Sequence, residues 1–190
     1  MVIIPIHKTD EELELITNKV FELSSNLKKL GISVKYDDDV NRRPGWKFAE
    51  YETKGVPVRI AIGPRDLENG KVELVRRDTK EKAIVDFDGL DEYVEELLGD
   101  IQDNLFARSN KFRSENMHSV DTYTEFKEQL ESKGGFFLVH WDGTAETEEK
   151  IKEETKATIR CIPLDAKEEN GFCMVTGKPS KYRVVIAKAY

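Results

Sequence analysis

A chain of 190 residues, 38% of them hydrophobic, is long enough for one large domain or two small ones and apolar enough to bury a core, which excludes global disorder. A net charge of −7 argues against sequence-blind binding to nucleic acid, and two cysteines, Cys161 and Cys173, are too few for a disulfide framework. No apolar run approaches the roughly 20 residues that cross a bilayer. MVIIPI passes straight into acidic residues with no basic start and no small-residue cleavage site, so it does not read as a signal peptide. A cytoplasmic protein with both thiols free is expected.

Val2 to Ile6 is a short β-branched run that predicts a buried strand. A core strand so close to the first residue argues for a piece cut from a longer chain. Thr9 to Leu30 predicts a helix: Leu13, Ile16, Val20, Phe21, Leu23 and Leu27 keep helical spacing, Thr9 and Glu12 form a capping-box pattern, and Gly31 closes the segment. ISVKY follows as a strand, so strand, helix and strand point to a parallel βαβ unit. Pro44 opens a short helix through GWKFAEYET, which KGVP ends. VRIAI then alternates, with Val58, Ile60 and Ile62 on one face and Arg59 on the other. GPRDLENGKVELVRRD reads as a hairpin turning at ENGK. Asp88 to about Phe112 predicts a long amphipathic helix on Leu90, Tyr93, Val94, Leu97, Leu98, Ile101 and Leu105. The polar run RSNKFRSENMHS reads as a linker, which sets domains at 1–108 and 120–190 with 109–119 between them. Beyond it, Tyr123, Phe126 and Leu130 mark a helix stopped by Gly134 and Gly135. FFLVHW is a strand, TAETEEKIKEETKA a charged helix, and TIRCIPL, FCMVT and YRVVIAKAY are three further strands.

The charge is uneven. From Arg42 to Lys82, 11 Lys and Arg stand against 7 Asp and Glu, so this segment carries +4 and the remainder −11. A basic segment on an acidic body is the pattern of a focused electrostatic site. Phe48 and Glu52 lie four apart on one helix face, Arg59 on the polar face of the next strand, and Arg65 and Asp66 on the loop after it. If they converge, they suit an unstacked guanine. The base stacks on Phe48, Glu52 accepts from N1–H and the amino group, and Arg59 donates to O6 and N7. Adenine shares N7 but lacks O6, N1–H and the 2-amino group. The same residues also admit a plainer reading: a core phenylalanine beside a surface acid, and a strand arginine paired with a neighbouring carboxylate.

PGWKFAEYETKGVPVRIAIGPRDLENGKVELVRRDT closely resembles the anticodon-binding domain of the prolyl-tRNA synthetase family. ATIRCIPLD and GKPSKYRVVIAKAY resemble the extra C-terminal domain of that family's archaeal and eukaryotic-like form, and the resemblance spans Val2 to Tyr190. It implies an α/β fold, a five-stranded mixed sheet flanked by helices, followed by a small α+β domain. It implies recognition of the two guanines that end every proline anticodon, with Phe48, Glu52, Arg59, Arg65 and Asp66 at the contacting positions. It also implies that the Tyr190 carboxylate reaches the active site of a catalytic domain in the same parent chain. The parent is then expected to be a homodimer through that catalytic domain, with this piece a monomer. The parent uses ATP and Mg2+ to make prolyl-adenylate and passes proline to tRNA. Neither the arginine motifs for ATP nor a P-loop, a dinucleotide fingerprint or a nucleophile–base pair occurs here. This chain is therefore expected to hold no catalytic residue and no cofactor of its own. The alternative is a free-standing RNA-binding accessory protein built on the same fold.

Relatives with this C-terminal domain often bind zinc through four cysteines. The matching positions hold Asp142, Thr147, Cys173 and Thr176, and one thiolate does not make a tetrahedral site, so zinc is not expected. His140, beside Trp141, reads as a packed residue and Cys161 as a small buried hydrophobe. His7 and His118 are isolated and carry no assignment. Packing of Phe136, Leu138, Ile159, Ile162, Val175, Val184 and Ile186 is expected to supply the stability that a metal would give.

Overall fold

Thr9 starts the first helix, α1 (Asp10–Lys29), by a reciprocal cap: its hydroxyl accepts from the Glu12 amide at 3.2 Å, and the Glu12 carboxylate accepts from the amides of Lys8 and Thr9. At the far end Gly31 adopts φ +77°, its amide reaches the Lys28 carbonyl and the Ile32 amide reaches that of Leu27. That is the Schellman arrangement, which only a residue comfortable in the left-handed region allows. The buried stripe is Ile16, Val20, Leu23 and Leu27; Phe21, expected on it, points to solvent. The helix joins β1 (Val2–Pro5) to β2 (Lys35–Tyr36), which pair in parallel as the βαβ reading requires.

The computed structural model describes residues 1–189, so the role expected of Tyr190 lies outside the described residues. Two units are present, Met1–Ala107 and from Arg108 on. In the first, β3 (Val58–Ile62), β4 (Lys71–Arg76) and β5 (Lys82–Asp86) extend the sheet to the order β2-β1-β3-β4-β5. The β1 pairings with β2 and β3 are parallel, and the other two are antiparallel, giving a five-stranded mixed sheet. Ile3, Val58, Ile60, Ile62, Val72 and Leu74 line one face against α1 and against Leu90, Val94, Leu97 and Ile101 of α4 (Leu90–Glu115). Strand alternation sends the next residues to the opposite face: Arg59 pairs in register with Val75 and Ala61 with Glu73. The short helix α2 (Pro44–Thr53) packs on β1, and Ile84 of β5 stays 77% exposed.

Two expectations are corrected here. PRDLEN is a helix, α3 (Pro64–Asn69), not the arm of a hairpin. Pro64 sits at its first position, the Asp66 carboxylate caps the Gly63 amide at 2.7 Å, and Gly70, at φ +65°, ends the helix rather than making a strand-to-strand turn. The true hairpin joins β4 to β5. The second correction is that 109–119 is not a linker. The division between the units falls inside α4, which runs on to Glu115, and β6 (Met117–Ser119) follows. The segment lacks Gly and Pro, and Lys111–Glu115, Arg113–Asn110 and Ser114–Asn110 contacts at helical spacing support the helix there, although Phe112 on it stays exposed.

The second unit is α+β. Its sheet has the order β6-β7-β11-β8, with β7 at Phe136–His140, β8 at Ala157–Cys161 and β11 at Arg183–Lys188. Helices α5 (Tyr123–Ser132) and α6 (Ala145–Thr155) complete it, with a small ribbon of β9 (Gly171–Phe172) and β10 (Pro179–Ser180). The core is Phe126, Leu130, Phe137, Val139, Ile151, Val184 and Ile186, with Ile159 and Val175 packed on it. Phe137 and Val139 face Ile186 and Val184 across the sheet, so it is Phe136, not Phe137, that turns outward, and Leu138 is only half-buried. A one-residue change of phase flips every side chain of a strand. Ile162 is exposed beyond the end of β8. Cys161 is exposed as well, correcting the buried reading: it is the last residue of an edge strand, beside a bulge in the β8–β11 pairing.

Candidate nucleic-acid interface

Helix α2 is fixed by an unusual anchor. The Lys47 side chain is 3% exposed; its ammonium donates to the Asp37 carbonyl at 2.8 Å and lies 3.1 Å from the Asp37 carboxylate, whose other oxygen accepts from the Tyr51 hydroxyl at 3.0 Å. Burial works to raise the Asp37 carboxyl, but the bonds from Lys47, Tyr51 and the Asp39 amide outweigh it and hold the group below the ordinary range. Burial, with the bond to Asp37 second, pushes the Tyr51 phenol up to about 12. With Lys47 and Tyr51 facing inward, helical spacing turns Phe48 and Glu52 toward the open face of the sheet.

There Phe48, Glu52 and Arg59 line one cavity together with Tyr51, Val75, Arg77, Lys80 and Lys82. Phe48 also borders a second cavity, with His7, Glu73, Arg65 and Asp66 among its walls. All five residues singled out in the sequence therefore come to one region, three in the first cavity and Phe48 with the other two in the second. Phe48 and Arg59 are half-buried and Glu52 is exposed, so none is sealed in the core. One detail differs from expectation. Phe48, expected to be free to stack a base, already has the Arg59 guanidinium 3.6 Å from its ring centroid, a cation–π stack. Burial draws the guanidinium below the ordinary arginine range, while Glu73 and Glu52 oppose the shift. Its Nη1 is buried and has no hydrogen-bond partner. Glu52 meets Lys80 at 3.1 Å, an exposed pair that a ligand can exchange at small cost. Asp66 is committed in part to capping α3. The β4–β5 turn, with Arg77, Lys80 and Lys82, was not assigned to the site from the sequence. The signal was there in the +4 charge of this segment, but its place depends on β4 leaving α3 rather than a hairpin.

The family model described as "Anticodon binding domain" matches residues 1–97, and that described as "Prolyl-tRNA synthetase, C-terminal" matches residues 123–190. Curated relatives include the proline–tRNA ligases of Phocaeicola vulgatus, 58% identical over 193 residues, of Bacteroides fragilis, 57% over 194, and of Flavobacterium johnsoniae, 58% over 190. Each alignment covers 100% of this chain and 39% of the relative, so the chain spans about two fifths of their length. The chain belongs to the anticodon-binding domain family, in its prolyl-tRNA synthetase form. The mixed five-stranded sheet is that domain, and the second unit carries the family's C-terminal domain. Among the described residues no helix is long and apolar enough to cross a membrane.

The residues at the positions where the resemblance implies zinc ligands do not suit a metal. The Asp142 carboxylate already accepts from three hydroxyls: Thr144 at 2.9 Å, Thr147 at 3.0 Å and Thr176 at 2.9 Å. Thr176 lies in the turn of the β9–β10 ribbon and Thr147 in the first turn of α6, where a carboxylate also suits the helix dipole. Asp142, Thr147 and Thr176, three of the four positions compared with zinc ligands, thus form a polar clasp between the start of α6 and the β9–β10 ribbon; the fourth, Cys173, is buried. His140 is buried too, its Nδ1 3.2 Å from the Ser180 hydroxyl, and Gly171 leaves room for its ring: a Cβ there would lie 2.1 Å from Nε2. Burial works to raise the Asp142 carboxyl, yet the bonds from Thr176, Thr144 and Thr147 hold it below the ordinary range. Because the folded value is lowered, the clasp contributes fully above the unfolded value near 4 and is lost as pH falls through the folded one. Asp142→Ala is expected to cost about 2 kcal/mol, read as a lower urea midpoint from Trp141 emission. An unchanged midpoint would mean that the clasp carries no stability.

Proposed function

We propose that this chain is the RNA-reading part of a proline–tRNA ligase and that the two cavities sharing Phe48 receive the two guanines that end a proline anticodon. The observation that carries the reading is the Arg59 Nη1: a buried donor without an acceptor, in the same cavity as the Glu52 carboxylate. A buried unpaired donor is costly, so the site favours a ligand that brings an acceptor. Guanine presents acceptors O6 and N7 along one edge and donors N1–H and N2 beside them, and Phe48 with its stacked guanidinium offers a flat surface to its ring. Arg65 and Asp66 supply a donor and an acceptor for the second cavity. In the whole enzyme, in the cytoplasm, this binding would hold the tRNA in register while a catalytic domain joins proline to its 3′ end with ATP; the chain described here would then be inactive alone.

The test is an anticodon stem-loop titration. A proline stem-loop is expected to bind more tightly than one with either guanine changed to adenine, by roughly 1–3 kcal/mol for each directly read position. Arg59→Ala is expected to erase the preference at one of them and leave the other. Equal binding of all loops by the unaltered protein would sink the reading; weak absolute affinity would not, because the acceptor stem is missing from the probe.

A further inference from the structure

Neighbouring cavities of the first unit share lining residues. Phe48 is common to the two already described. His7 is common to the second and to a cleft lined by Asp39, Arg42, Arg43 and Lys47, and Asn41, Arg42 and Arg43 carry that cleft on to an open surface at Trp46. At this end the Arg42 guanidinium lies 3.9 Å from the Trp46 ring centroid, and the indole, in the first turn of α2, stays 45% exposed. A tryptophan placed this way buries nothing in a core, and core packing does not account for it. Among the described residues Arg43 has no ion-pair partner, and Arg42 makes one loose contact, 3.5 Å to Asp39. Asp39 also accepts from the Asn41 backbone and side-chain amides, and the neighbouring Asp37 is neutralised by Lys47. Asp38 is exposed. The surface therefore offers two guanidinium groups and an aromatic plane, next in a series of cavities that share residues with the one at Phe48.

We infer that Arg42, Arg43 and Trp46 form a third RNA contact, which takes a loop nucleotide flanking the two guanines: the arginines hold its phosphates and the indole stacks its base. The inference rests on the reading that the Phe48 cavities bind an unstacked anticodon loop. The contact does not select sequence. Phosphate contacts carry no base information, every base has a face to stack, and neither an indole ring nor a guanidinium directed at phosphate distinguishes one base edge from another. The site thereby divides its work, with identity read at Phe48, Glu52 and Arg59 and the strand held at Arg42, Arg43 and Trp46.

The experiment measures stem-loop affinity against salt for the unaltered protein, for the Arg42→Ala/Arg43→Ala double variant and for Trp46→Ala. All three side chains are exposed, so folding is expected to be unaffected, and circular dichroism checks it. The double variant is expected to weaken proline and adenine-substituted loops by the same factor, leaving the preference intact. Its slope of log affinity against log salt should shrink by about 0.7 for each phosphate that the arginines no longer neutralise. Trp46→Ala is expected to weaken all loops about tenfold, and Trp46→Phe to restore most of the affinity. With Trp141 replaced by phenylalanine, the remaining Trp46 emission should be quenched as the loop binds. Unchanged affinity and slope in the double variant overturn the inference while the guanine reading stands, and a change in base preference overturns its sequence-blind character. Loss of the guanine preference in the unaltered protein, with the slope still falling in the double variant, overturns the guanine reading and leaves this contact in place.

Discussion

Replacing Asp37 with alanine is expected to destabilise the N-terminal unit by about 3–5 kcal/mol, the range for breaking a buried ion pair from one side. The reason is what it leaves behind. Lys47 is 3% exposed and Asp37 13%, and the ammonium would keep one carbonyl acceptor but lose its counter-charge. Lys47→Met is the informative contrast. It removes the charge that needed a partner and keeps most of the buried volume, while Tyr51 still donates to the carboxylate, so a loss of about 1–2 kcal/mol is expected. The pH dependence has two arms. The Asp37 value is lowered on folding, so its contribution is complete above the unfolded value near 4 and disappears as pH falls through the folded one. The Tyr51 value is raised to about 12, so its contribution is complete below the unfolded value near 10 and disappears as pH climbs toward 12. Urea unfolding of both variants across pH reads all of this. Because α2 also carries Phe48 and Glu52, Asp37→Ala should weaken stem-loop binding even where the unit remains folded. Equal losses in the two variants would show that packing alone, not the stranded charge, sets the cost.

This anchor also shows where the sequence stops being legible. Local chemistry was readable wherever one residue type answers one need: Thr9 with Glu12 at a helix start, Gly31 at its end, Pro44 at the first position of α2, and the Val58, Ile60, Ile62 face of β3. The placing of Phe48, Glu52 and Arg59 beside one another followed from the same local geometry, since a four-residue helical spacing and a strand's polar face bring them together almost unaided. What failed depended on partners distant in the chain. FFLV is apolar throughout, so its own residues do not fix its phase; Val184 and Ile186 across the sheet do, and Phe137 rather than Phe136 is buried. A lysine is the residue least expected inside, and Lys47 is there because Asp37, ten positions earlier, meets it. The stacking of Arg59 on Phe48 likewise belongs to the approach of β3 and α2, which no spacing encodes.

The turn between β4 and β5 carries the other large expectation. Asp78→Ala should cost about 3–5 kcal/mol and reshape the mouth of the cavity at Phe48 and Arg59. The Asp78 side chain is 1% exposed and accepts two parallel bonds from Arg76, each 2.8 Å, and a third from the Asn104 side chain at 2.6 Å. Those bonds tie the turn to α4 and neutralise an arginine that is itself 18% exposed. The Arg76 guanidinium above all, helped by Asn104, holds the Asp78 carboxyl far below the ordinary range. A lowered folded value means that this contribution survives into strong acid. The turn is also where Arg77 donates to the Glu52 carbonyl at 2.8 Å and where Lys80, at φ +65°, reaches the Glu52 carboxylate. Removing Asp78 therefore frees both ends of the hairpin's grip on α2. Asp78→Asn keeps an acceptor for Arg76 but not the charge, and about half the loss is expected. Two readouts separate fold from site: urea unfolding reports the missing ion pair, and stem-loop titration of the still-folded variant reports the displaced Arg77 and Lys80. If Asp78→Ala loses stability but binds proline and adenine-substituted loops as the unaltered protein does, the β4–β5 turn supports the sheet without shaping the base cavity, and the wall assigned to Arg77, Lys80 and Lys82 must be removed from the site.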